Sequence, residues 1–124
     1  MVTKIISHRG RTSNESPDNT LQSIGDVIDF NIDMVEFDVR RTRDGQIVCF
    51  HDAEIGDKPL MSLSFSEVTE MNPLIPTLEQ VLRSAKGKIQ VDIDLKETGY
   101  ENEVINILLA YFEYDDFIMK SFDR

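Results

Sequence analysis

Apolar and polar positions along the chain alternate between a period of two and a helical period, and the switches mark the elements. KIISH, Lys4 to His8, reads as a short buried strand, followed by a loop over the Gly10 to Pro17 region. Leu21, Ile24, Val27 and Ile28 then recur at helical spacing, with Asn19 or Thr20 as the cap. Met34 to Arg40 predicts a second strand, which Asp44-Gly45 turns back as a hairpin. The pattern weakens between Ala53 and Pro76, although Ser64 to Glu67 has the form of a capping box for a helix to about Met71. Thr77 to Gln80 has the same form and opens the helix TLEQVLRSAK, which Gly87 should close. KIQVDIDLK predicts a strand with Val91, Ile93 and Leu95 on one face and Asp92, Asp94 and Lys96 on the other. A helix over Glu101 to Glu113 follows, with Ile105, Leu108, Leu109 and Phe112 as its apolar stripe, and FIMKSF supplies a last strand.

Strand and helix therefore alternate, which predicts a parallel α/β arrangement with functional residues at the carboxyl ends of the strands. His8, the pair Glu36 and Asp38, and the pair Asp94 and Lys96 all fall at or near such ends. Glu36 and Asp38 are two apart on one strand, so both carboxylates share a face. If Arg43 faces Gln46 across a two-residue turn, His51 falls opposite Asp38, with Cβ atoms on the order of 5 Å apart. Facing carboxylates repel unless something positive lies between them, and a hard divalent cation with oxygen ligands is the usual solution. Taken alone, this segment is equally readable as a solvated strand face with an ordinary hairpin histidine. The convergence of separate polar residues on one rim favours the functional reading.

The 124 residues suffice for one modest core, so a single domain spanning 1–124 is expected. A formal net charge of −10 argues against nucleic acid or an anionic membrane as partner, since both need a basic surface. An anionic substrate must then be held by local cations or a metal. The opening MVTKIISHRG lacks a long apolar run, and no segment approaches about 18 uninterrupted apolar residues, so neither a signal peptide nor a membrane span is expected. The single Cys49, inside a strand, reads as a half-buried free thiol, which fits a reducing, cytoplasmic setting.

The segments ISHRG, SPDNT, VEFDVRRTRDGQIVCFHD, IPTLEQVL, IDLK and IMKSFD together resemble the glycerophosphodiester phosphodiesterase family, in that family's order along the chain. The resemblance implies a (β/α)8 TIM barrel of the phospholipase C-like phosphodiesterase kind. It also implies hydrolysis of glycerophosphodiesters to an alcohol and glycerol 3-phosphate, with Ca²⁺ or Mg²⁺ as cofactor. Carried over by motif, it makes His8 and His51 the acid/base pair, Arg9 and Lys96 the phosphate contacts, and Glu36, Asp38 and Asp94 the metal ligands.

Three departures from the family pattern stand out. Asp18 and Asp94 occupy positions where the family usually has Glu, and shortening a ligand by one methylene draws its oxygens back by roughly 1 Å, a displacement that can cost ~100-fold in rate. The sequence also ends after a fourth barrel strand, whereas a full barrel takes about 250 residues. The expected architecture is thus a half-barrel of about four β/α units, with no Trp for the family's aromatic-rich later strands. Two open edges and an inner face with apolar residues turned to water would follow, and a homodimer closing both edges is one expected remedy. Two alternatives stand beside the enzyme: a non-catalytic or truncated half-barrel that binds metal or phosphate, and a lipid phosphodiesterase like the sphingomyelinase D toxins. The single cysteine and the lack of a signal peptide count against the second.

Overall fold

A computed structural model describes residues 6–7, 21–22, 25 and 34–121. Its core is a sheet of parallel strands in the order β1 (Ile6–Ser7), β2 (Met34–Arg41), β6 (Gln90–Leu95) and β7 (Phe117–Ser121). The strands lie side by side in chain order, as the first four strands of a β/α barrel do, and β3 (Ile47–Cys49) pairs antiparallel with β2. One edge of β2 is taken by β6 from Met34 to Val39, so its other edge carries β1 at the start and β3 at the end. Between β3 and β6 come a small hairpin, β4 (Glu54–Ile55) and β5 (Lys58–Pro59), then α1 (Phe65–Met71) and α2 (Leu78–Ala85); α3 (Glu101–Tyr111) joins β6 to β7. Leu21, Gln22 and Gly25 are helical, where the periodicity places a helix. The remainder of that helix, the loop before it, His8, Arg9 and Asp18 lie outside the described residues.

Strand alternation decides which face is dry. Val35, Phe37 and Val39 of β2 and Val91, Ile93 and Leu95 of β6 are fully buried in one cluster with Leu78, Val81, Leu82 and Ala85 of α2 and Val104 and Leu108 of α3. Each such aliphatic side chain contributes about 1.5–3 kcal/mol by leaving water. Phe117 and Met119 of β7 pack against the same cluster. A second cluster joins Val48 to Ile55, Leu60, Leu63, Val68 and Ile75, which gives the segment after β3 a small core of its own.

Both capping boxes form as the sequence predicts. Glu67 N donates to Ser64 Oγ and Ser64 N to Glu67 Oε1 at the start of α1, and Thr77 and Gln80 do the same for α2. α3 is rotated from the expected stripe: Val104 and Leu108 are buried with Ile107 and Tyr111 packed beside them, whereas Leu109 is exposed. Tyr111 explains the choice, because its ring packs inward while its hydroxyl meets Glu79 and Arg83 of α2.

The inner face differs from the expectation of apolar residues meeting water. It carries Glu36, Asp38 and Arg40 from β2, Asp92 and Asp94 from β6 and Lys120 from β7, because Val35, Phe37, Val39, Val91, Ile93, Leu95, Phe117 and Met119 turn towards the helices, while Met34 and Ile118 share the alternation of the charged residues. Ile118, at 48% exposure, is the apolar side chain of β7 left in water.

Candidate cation site at the strand ends

Parallel register builds the site. Asp38 lies directly beside Asp94 and Glu36 beside Asp92, and Lys120 stands beside Asp94 on the far side. Residues level with one another in adjacent parallel strands project to the same face, so three strands deliver one charged layer. One carboxylate oxygen each of Glu36, Asp38 and Asp94 lies within 4.8 Å of the others. Asp38 is only 1% exposed, a poor place for an ionised carboxylate without a cation close by.

Two lysines supply part of that charge. Lys96 Nζ lies 2.9 Å from Asp94 Oδ2 and 3.5 Å from Asp38 Oδ1. Lys120 Nζ lies 3.0 Å from Glu36 Oε2 and 3.1 Å from Asp92 Oδ2. The bond to Glu36 and that to Asp92 together hold the Lys120 ammonium charged well beyond the ordinary lysine range, against the effect of burial. Burial pushes the Asp92 carboxyl up, opposed by its bond to Lys120, and Asp92 Oδ1 finds no hydrogen-bond partner among the described residues. With Arg40 paired to Glu97, the carboxylates of Glu36, Asp38, Asp92 and Asp94 against the ammonium groups of Lys96 and Lys120 leave a formal charge of −2 on this cluster, counted over the described residues. An all-oxygen trio carrying that deficit fits one hard divalent cation, and the shorter Asp94 reaches the trio despite the family's preference for Glu.

His51 is placed differently from the hairpin expectation. Arg43, Asp44 and Gly45 form a three-residue loop: Gly45 N donates to Thr42 O at 3.0 Å, Thr42 N to Gln46 O at 2.9 Å, and Gly45 adopts φ +87°. Thr42 Oγ1 donates to Asp44 Oδ1 and accepts from Gln46 N, so the longer loop is filled by its own side chains. The register slips by one, to Val39 beside Cys49 and Arg41 beside Ile47, and Phe50 N rather than His51 reaches Asp38, at its carbonyl. His51 follows the end of β3, half-exposed, with Nδ1 2.8 Å from Asp52 Oδ1. It is not one of the residues whose ligand atoms converge.

Of the seven site residues expected from sequence, Glu36, Asp38, Asp94 and Lys96 are brought together, His51 is near the end of the adjoining strand, and His8 and Arg9 are outside the described residues. Asp92 was expected on the face of Asp94 and Lys96, whereas Lys120 was not foreseen as a member of the layer. The signal for Asp92 was the charged residue at every second position of QVDIDL, which marks an inward face; FIMKS, with Ile118 two before Lys120, carries no such pattern.

The model of the glycerophosphoryl diester phosphodiesterase family matches residues 8–121. YhdW of Bacillus subtilis (strain 168) is 32% identical over 138 residues, covering 95% of this chain and 56% of its own length. A glycerophosphodiester phosphodiesterase from Agrobacterium tumefaciens superposes with a TM-score of 0.87 at 25% identity, over 99% of this chain and 59% of that one. An Oleispira antarctica phosphodiesterase, solved in complex with the product sn-glycerol-3-phosphate, superposes at 0.82 with 26% identity, over 98% of this chain and 58% of that one. The chain thus spans a little over half the length of the relatives it matches. Its four parallel strands in chain order, its charged inner layer and its match along nearly the whole sequence make it a member of the glycerophosphoryl diester phosphodiesterase family.

Proposed function

We propose that the protein takes part in metal-dependent hydrolysis of glycerophosphodiesters to an alcohol and glycerol 3-phosphate. The observation that carries this reading is the convergence of Glu36, Asp38 and Asp94, with Lys96 among them, at the carboxyl rim of a family-typical sheet. Ca²⁺ or Mg²⁺ held by the three carboxylates would supply positive charge against the non-bridging phosphate oxygens. Lys96, and Arg9 by family resemblance, add fixed positive charge for the same phosphate.

In the reaction the oxygen of water bonds to phosphorus as the bond from phosphorus to the alcohol oxygen breaks; where a substrate hydroxyl attacks instead, that step releases the alcohol and leaves a cyclic phosphate, which water then opens to glycerol 3-phosphate. One imidazole takes the proton of the attacking oxygen and the other delivers a proton to the departing alkoxide. With Asp52 accepting from Nδ1–H, His51 has Nε2 for that proton, and the resemblance gives the partner role to His8. A cytoplasmic setting suits the lone, buried thiol of Cys49.

Hydrolysis of glycerophosphocholine by the purified chain, with chelator and after adding back Ca²⁺ or Mg²⁺, tests the proposal. Metal-restored turnover that His51→Ala lowers by ~100 to 10,000-fold is expected. Faster turnover of sphingomyelin would move the reading to a sphingomyelinase D-like enzyme. The trio of carboxylates could also serve one second reading: a half-barrel that binds the cation without catalysis. Cation binding without turnover in a sample of measured mass, monomer or dimer, would decide for it.

A further inference from the structure

We propose that Arg40 is the positioning residue for His51, and that Glu97 and Tyr100 in turn hold Arg40 in place. The inference rests on His51 serving as acid or base in the reaction above. His51 lies two residues beyond Cys49, where β3 has ended, so no strand ladder fixes its backbone. Its imidazole bonds to Asp52, but the two side chains are 37% and 69% exposed, and a contact that open to water restrains little.

The firm restraint comes from the inner face. Arg40 sits one alternate beyond Asp38, and its Nε and Nη2 both donate to the carbonyl oxygen of His51, at 3.2 and 2.6 Å. Nη1 donates to Glu97 Oε2 at 3.1 Å, and the opposite oxygen of Glu97 accepts from Tyr100 Oη at 2.6 Å. All three side chains are largely buried, with Arg40 at 11% and Glu97 at 17% side-chain exposure. Burial, reinforced by Glu97, pushes the Tyr100 hydroxyl well above its ordinary range and keeps it a donor.

The chain of contacts runs from β2 to the segment after β3 and to the loop after β6, where Glu97 is the neighbour of Lys96. A planar guanidinium can serve the carbonyl and the carboxylate at once; an ammonium cannot match that fork. Arg40 therefore couples the backbone of the proposed acid/base to the rim that carries the carboxylate trio.

The test uses the full chain with Arg40→Met, Arg40→Lys and Glu97→Gln. Expected for Arg40→Met is a fall in kcat of about 100-fold, as for an approximately 1 Å misplacement of a reacting group. KM and calorimetric cation affinity should stay near wild type. The His51 Hε1 resonance should shift or broaden in the same variant. Arg40→Lys should restore only part of either readout, and Glu97→Gln should give the same changes in smaller measure. An unmoved His51 resonance in both Arg40→Lys and Glu97→Gln would overturn the proposal, and so would kcat losses that merely track the unfolded fraction. Should the wild type hydrolyse no glycerophosphodiester, the functional reading fails, while the resonance alone still decides whether Arg40 positions His51.

Discussion

Replacing Gly45 by alanine isolates the backbone term that sets the hairpin register. At φ +87° an L side chain is disfavoured, and the left-handed region costs roughly 1–2 kcal/mol for a residue with a Cβ. Space adds nothing to that cost, because a Cβ at Gly45 would meet only Arg41 Nη2 at 3.8 Å and Arg41 Nε at 4.0 Å, ordinary contacts with the far end of a flexible side chain. Relaxing to a two-residue turn offers no escape. It would slip β3 by one residue and swap the faces of Ile47 and Cys49, buried in the main core, with Val48, buried in the second cluster. With a urea m-value of about 2 kcal/mol/M, the midpoint of unfolding should fall by roughly 0.5–1 M. Gly45→Asn should lose less, since asparagine enters the left-handed region more readily. Equilibrium urea unfolding of the two variants beside wild type checks this. A Gly45→Ala midpoint equal to wild type would mean that the loop is not in the three-residue form, and the placement of His51 would fall with it.

Other expectations can be checked as directly. Burial pushes the Cys49 thiol far above its ordinary range, so Ellman's reagent should label the native protein only as fast as it unfolds; rapid labelling without denaturant would contradict the packing of β3. Acid stability should depend on the loop and the first cap: the Thr42 hydroxyl bond lowers Asp44, and the bonds from Ser64 lower Glu67. Folded values below the unfolded ones mean stabilisation that is present above about pH 4 and lost as pH falls through the folded values. The double variant Asp44→Asn, Glu67→Gln should therefore lose less stability between neutral and acid pH than wild type, and an identical acid dependence would refute this assignment.

The main elements were legible because period and capping chemistry agreed locally. Thr77 and Gln80 announced α2, and the alternation in QVDIDL announced both faces of β6, as found. α3 was misread in part: Leu108 and Phe112 of the expected stripe are buried, but Val104 takes the inward place given to Leu109, since Val104, Ile105, Leu108 and Leu109 permit two stripes and only the docking of Tyr111 on α2 chooses between them. The hairpin β4–β5 was missed although Gly56-Asp57 between Ile55 and Lys58 is itself a two-residue turn signal, because flanking strands of two residues leave no periodicity to read. For the site, the spacing in VEFDV placed Glu36 and Asp38 together, alternation and strand order brought Asp94 and Lys96 to the same rim, and the family resemblance added their roles. The sharing of Lys120 between Glu36 and Asp92 was not legible, because it depends on the register of three strands distant in sequence.

Isothermal titration of the purified chain with Ca²⁺ and with Mg²⁺, beside the Asp38→Asn variant, tests the central claim most directly. The account predicts one cation bound per chain by at least one of the two metals, and a loss of affinity of about tenfold or more when the buried central ligand loses its charge. No binding of either cation to the folded wild type, or undiminished binding by Asp38→Asn, would contradict it.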